Sequence, residues 1–155
     1  MDARRPFEVG ARYAFDDESN VEEVNDRFYR AIEEGDLSAM EEIWLHEDWV
    51  KCVHPGWELI VGWEGVRESW RKIFENTSGM RISASCPRAV VEGDFAWLIC
   101  TENLVIFLDH SSAPVSAATV ATNLFFRHGS EWRMIHHHAS PTPSSDVIAA
   151  SETIQ

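Results

Sequence analysis

Apolar positions recur at helical spacing in the first half of the chain, and run together or alternate in the second. Val21, Val24, Phe28 and Ile32 share one helical stripe, with Ser19 and Glu22 as a capping box and Gly35 as the stop. A short second helix is predicted from Leu37, Met40, Ile43 and Trp44, opened by Ser38 and Glu41 as another capping box. "WVKCVHPGW" reads as a strand that Pro55 and Gly56 terminate. Trp63, Val66, Trp70 and Ile73 then mark a third helix after Gly62, ending between Asn76 and Gly79.

The second half of the chain reads as sheet. "MRISASCPRAVVEG" leads to a Gly93-Asp94 turn, and "FAWLICTENLVIFL" continues in β-branched and aromatic residues. "DHSSAP" is a loop, "VSAATVATNLFFR" a strand, "HGSE" a turn and "WRMIHHHAS" the last strand. Residues 1–18 lack periodicity and read as a loose arm, 19–140 as one domain, and 141–155, rich in Ser, Thr and Pro, as a mobile tail. Helices first and strands later give an α+β fold: three helices packed on a strongly curved, mainly antiparallel sheet in a cone shape. The concavity between them would be a small-molecule pocket.

Charge narrows the partners. Asp and Glu outnumber Lys and Arg by 26 to 13, a net −13, which repels phosphates and anionic lipid and argues against nucleic acid and membrane. "MDARRPFEVG" has no apolar core for a signal peptide, and no run reaches membrane-spanning length. Cys52, Cys86 and Cys100 are odd in number and lack CxxC spacing, which argues against a disulfide framework and fits a reducing cytoplasm. Asn76-Thr77-Ser78 matches the glycosylation pattern, which without secretion has no consequence.

Strand alternation decides which histidines matter. If the "HGSE" turn pairs Arg127 with Trp132, then Phe125 faces Met134, Asn123 faces His136 and Ala121 faces His138. His136, His138 and Asn123 would then project into the cone, with His137 on the opposite face.

"HPGW…GWEGVRESWRKIF", "GDFAWLICTENL" and "WRMIHHHAS" together resemble the SnoaL-like branch of the nuclear transport factor two-like superfamily over roughly residues 19–140. The last strand is also similar to the W-x-x-x-H-x-H ending of the association domain of calcium/calmodulin-dependent protein kinase II. That domain carries arginines where this chain has Glu102, Asn123 and Ala139, so the resemblance does not imply an anion pocket here. SnoaL-type cyclases and ketosteroid isomerases use a pocket carboxylate or histidine as base, and the resemblance implies chemistry of that kind, of isomerase, cyclase or hydrolase type. A non-catalytic ligand-sensing or assembly module is the alternative.

The candidate proton-handling groups are His54, His136, His138 and Glu102. His54 precedes Pro55 at the expected rim, where it serves acid–base chemistry or caps the turn. Glu102 in an apolar strand needs a partner or a raised pKa, unless the strand is shifted and it faces outward. His136 and His138 at i, i+2 could chelate a metal, with His54 and Glu102 completing the set; a metal-free polar pocket is favoured and no cofactor is expected. Asn123 would orient a ring or the ligand, and Trp57, Tyr29 and Trp97 are candidate ligand contacts, against core roles for the rings. Cys52 shares a face with His54, where a buried inert thiol is favoured over a nucleophile. His46, His110 and His128 sit in polar surroundings and are read as solvated. Thr122, Leu124, Phe126 and Ile135 are assigned to an uncovered outer sheet face, hence to a homodimer.

Overall fold

A computed structural model describes residues 11–109 and 113–143. Three helices, α1 (Ala11–Glu34), α2 (Leu37–Ile43) and α3 (Trp63–Glu75), pack on a curved, unclosed sheet. The seven strands are β1 (Lys51–Val53), β2 (Ile60–Val61), β3 (Gly79–Ser85), β4 (Val90–Glu92), β5 (Phe95–Phe107), β6 (Val115–His128) and β7 (Glu131–Pro141). Their order is β2-β1-β7-β6-β5-β3, with β4 paired to β5. Every pairing is antiparallel except that of β1 with β7. The α+β, mainly antiparallel architecture is therefore the one the hydrophobic pattern predicts.

The helices bury what their periodicity exposes to the sheet. On α1, Val21, Asn25, Phe28, Tyr29 and Ile32 all lie within the protein, and two of these five are polar. On α3, Val66, Ser69 and Trp70 face inward. Two helix starts differ from expectation. α1 continues upstream of Ser19 to Ala11, because Asp17 is held there by a paired contact with Arg127 (2.6 and 3.0 Å). The N-cap of α2 is Asp36, not Ser38: its carboxylate accepts the Ala39 N–H at 3.0 Å. The expected arm at 1–18 is thus helical from Ala11; its first ten residues, His110, and the tail beyond 143 lie outside the described residues.

Two further corrections concern the sheet. The segment read as one strand from Met80 breaks at Cys86 to Ala89 into β3 and β4, where Pro87 cannot donate to a ladder. Cys86 and Cys100 are disulfide-bonded, joining the end of β3 to β5, and Cys52 is a buried free thiol. An odd cysteine count says nothing about a single bridge, so the cysteines no longer argue for a reducing compartment. No helix among the described residues is long and apolar enough to cross a membrane.

The β6–β7 hairpin carries the decisive feature. Arg127 pairs with Trp132 and Phe125 with Met134, as the turn predicts, but a β-bulge then inserts Ile135, so Leu124 pairs with His136 and Asn123 with His137. One extra residue reverses the facing of everything beyond it. His137 and Ala139 point inward and are buried, whereas His136 is half-buried and His138 exposed.

Candidate active site

Beneath α1 and α3 the sheet encloses a cavity of about 430 Å³, within the size range of small-molecule pockets. Its walls are apolar: Ile32 from α1, Trp70 and Ile73 from α3, and Ile82, Leu104 and Ile106 from the sheet. Polar residues line it at His54, at Glu102 with Thr119, at His137, and just past α3 at Asn76 and Thr77. Lys72, exposed on α3, is the one lysine or arginine among the described residues that line it.

His54 directly follows β1, and its ring lies edge-on to Trp70 (4.6 Å) and Trp57 (5.0 Å). Its Nε2 is 2.8 Å from Ser69 Oγ, whose own proton goes to the Val66 carbonyl at 2.7 Å. His54 therefore donates through Nε2, and Nδ1 carries the lone pair. Burial pulls its pKa down to about 4, so the ring is neutral at ordinary pH.

His137 sits on the neighbouring strand, in register with Cys52 and Asn123. Phe28 covers its ring at 4.9 Å, and Nδ1 lies 2.6 Å from Asn123 Oδ1. Nε2 has no hydrogen-bond partner among the described residues. Burial, aided by repulsion from His54, His136 and His138, lowers its pKa to about 3. The result is a neutral imidazole in an apolar wall.

Glu102 is 2% exposed, which settles that it faces inward. Tyr29 donates to its Oε1 at 2.7 Å, and Thr119 donates to Oε2. Burial raises its pKa despite both donors. The same burial and the neighbouring Glu102 hold the Tyr29 hydroxyl well above its usual range. Tyr29 also accepts from Asn123 Nδ2 at 3.1 Å, so Glu102, Tyr29, Asn123 and His137 form one buried hydrogen-bonded chain.

Of the residues singled out in the sequence, the structure brings His54, Glu102 and Trp57 to the cavity. Tyr29 and Asn123 stand behind it, holding Glu102 and His137. His136 and His138 do not reach it, because the bulge turns them to the outer face, where their rings lie 6.1 Å apart. Trp97 is corrected likewise: it lies on the outer face of β5, 36% exposed and paired with Leu124. His46 is exposed and stacks on Trp63 at 4.4 Å, and His128 is exposed. Burial drives the Cys52 thiol upward, the reverse of what a nucleophile needs.

Sequence reading missed His137, Ser69, Asn25 and Thr119. Asn25 had a visible signal, since it falls on the apolar face of α1 between Val21 and Phe28. His137 had none, because the bulge that turns it inward leaves no mark in "MIHHHA" beyond the histidines themselves.

The SnoaL-like domain family matches residues 21–144. F-box protein SKIP8 of Arabidopsis thaliana is 32% identical over 117 residues, covering 76% of this chain and 47% of that protein, so the chain spans about half the length of this relative. A candidate dehydratase of the NTF2-like family from Streptomyces avermitilis is 32% identical, with a TM-score of 0.77 over 84% of this chain and 99% of that one. A candidate calcium/calmodulin-dependent protein kinase type II association domain from Thiobacillus denitrificans is also 32% identical, with a TM-score of 0.68 over 79% and 94%. This chain belongs to the SnoaL-like domain family, within the NTF2-like superfamily.

Proposed function

We propose that the cavity performs acid–base chemistry, of dehydratase or isomerase type, on a small, uncharged and largely apolar molecule. The observation that carries this reading is His137, a neutral imidazole in a cavity wall whose Nε2 is left unpartnered while Nδ1 is held by Asn123. Such a nitrogen can take a proton from carbon. Glu102, its pKa raised by burial, is the group suited to deliver one to a departing hydroxyl or a carbonyl oxygen. His54 is the second neutral base in the same cavity. Most of the wall is apolar and Lys72, the one lysine or arginine at the cavity among the described residues, is exposed, which favours a neutral ligand. Similarity to the candidate dehydratase from Streptomyces avermitilis points the same way.

The outer sheet face supports a homodimer. Phe95, Trp97 and Ile99 are exposed there, and their partners across the ladder are Phe126, Leu124 and Thr122. A contiguous apolar face of this kind commonly marks a partner surface, and a twofold axis would make it self-complementary. Ile135, assigned to this face from sequence, is instead a buried bulge residue.

The test uses 1-tetralone, a neutral bicyclic ketone, in D₂O. The protein should accelerate deuterium uptake at the carbon beside the carbonyl, and His137→Gln should lower that rate by roughly 10²-fold or more. A protein that binds 1-tetralone without accelerating exchange would favour the non-catalytic ligand-sensing reading.

A further inference from the structure

We infer that Asn25 is a positioning residue which, acting through Asn123, fixes the tautomer of His137 so that Nε2 stays bare. The inference rests on the reading of His137 as the base and adds to it the device that keeps that base usable.

A neutral imidazole carries one proton, and whichever ring nitrogen holds it cannot act as base. For His137 the choice is set by the Asn123 amide, which meets Nδ1 at 2.6 Å with its oxygen and Asn25 and Tyr29 with its nitrogen. If that amide turned over, its NH₂ would donate to Nδ1 and the ring proton would move to Nε2. Asn123 is fully buried, so solvent cannot stabilise the reversed form.

Two ends of the network could hold the amide in place. At the Tyr29 end, an ionised Glu102 can only accept, so Tyr29 must donate to it and accept from Asn123. That constraint lapses when Glu102 takes up a proton. A protonated Glu102 can donate to Tyr29, and Tyr29 can then donate to a reversed Asn123. Yet the protonated acid is the form that must coexist with a bare Nε2 if both groups are to act in one turnover.

The Asn25 end has no such freedom. Asn25 accepts from Asn123 Nδ2 at 2.8 Å through Oδ1, and its own Nδ2 points to the sulfurs of Cys86 (3.4 Å) and Cys100 (3.9 Å). Those sulfurs are joined in a disulfide and carry no proton. They can accept weakly but cannot donate, so Asn25 gains nothing by turning its oxygen toward them. Reversing Asn123 alone would set two amide oxygens against each other at the 2.8 Å now bridged by a hydrogen bond. Reversing both would face the Asn25 oxygen to a disulfide. The hydrogen-bond direction is therefore imposed from the disulfide through Asn25 and Asn123 to His137, whatever the state of Glu102.

The experiment is a long-range ¹H–¹⁵N spectrum of histidine-labelled protein, which distinguishes a bare from a protonated ring nitrogen. In the unmodified protein His137 Nε2 should resonate as a bare, pyridine-type nitrogen. In Asn25→Leu combined with Glu102→Gln, whose amide can donate to Tyr29 as the protonated acid does, the signal should move toward the average of the two tautomers. Asn25→Asp at pH 8 keeps an acceptor for the Asn123 amide and should restore the bare-nitrogen position. Should Asn25→Leu not fold, Asn25→Ser makes the same test, because its hydroxyl is too short to reach Asn123. A proton on Nε2 in the unmodified protein, or an Nε2 signal unmoved by loss of the Asn25 acceptor in the Glu102→Gln background, overturns the inference. Deuterium exchange into 1-tetralone does not depend on the Asn25 spectra, so failure of this inference and failure of the proposed chemistry are separately visible.

Discussion

Replacing His137 by Gln should flatten the acid side of the stability–pH curve. His137 and His54 are buried neutral, with pKa values near 3 and 4 against 6.5 for a free ring. Each is therefore protonated more readily in the unfolded chain than in the folded one. The stability they contribute is complete above pH 6.5 and is lost as pH falls through the window from 6.5 to about 4 for His54 and about 3 for His137. The slope is about 1.4 kcal/mol per pH unit per histidine, so between pH 8 and pH 5 each should cost about 2 kcal/mol, and the pair about 4. Glu102 acts in the opposite sense, because its raised pKa lets the folded state take up a proton first. That offset is common to both proteins, so the difference between them isolates His137. Urea unfolding at pH 8 and pH 5 measures it. His137→Gln should be less stable at pH 8 but should lose about 2 kcal/mol less on acidification. Equal losses in both proteins would mean that His137 is not held neutral in the fold, and the site assignment would fail with it.

The outer sheet face makes two more predictions. Trp97→Glu together with Leu124→Glu should give a monomer by light scattering at micromolar concentration while leaving the cavity able to bind 1-tetralone; a monomer already in the unmodified protein would reject the sheet-to-sheet dimer. His136→Ala and His138→Ala should each change deuterium exchange by less than about twofold, since the bulge places both rings outside the cavity; a drop comparable to that of His137→Gln would restore them to the site.

Periodicity and turn chemistry made most of the fold legible. The stripe of Val21, Phe28 and Ile32, the Pro55-Gly56 stop and the "HGSE" turn each report a local preference that the tertiary structure keeps. Glu102 was legible for a related reason: an acid amid apolar neighbours either breaks the strand pattern or has buried partners, and Tyr29 and Thr119 are those partners. Three features were not legible. The α2 cap lay one residue before the segment's first apolar position, where Asp36 competed with Ser38. The pairing of Cys86 with Cys100 depends on the end of β3 coming to rest beside β5, a long-range fact. The bulge at Ile135 reversed two strand residues and hid the central histidine, because alternation counts residues and a bulge adds one. Asn25, on an apolar helix face, and Asn123, opposite the histidine strand, are each visible singly. Their meaning lies in a contact across 98 residues of sequence.

The most direct test of the site is a titration of histidine-labelled protein with 1-tetralone, followed by the ring ¹⁵N signals. Saturable shifts are expected at His137 Nε2 and at His54, with His136 and His138 unmoved. Shifts confined to His136 and His138, with His137 silent at saturating ligand, would place binding on the outer face and contradict the site assignment.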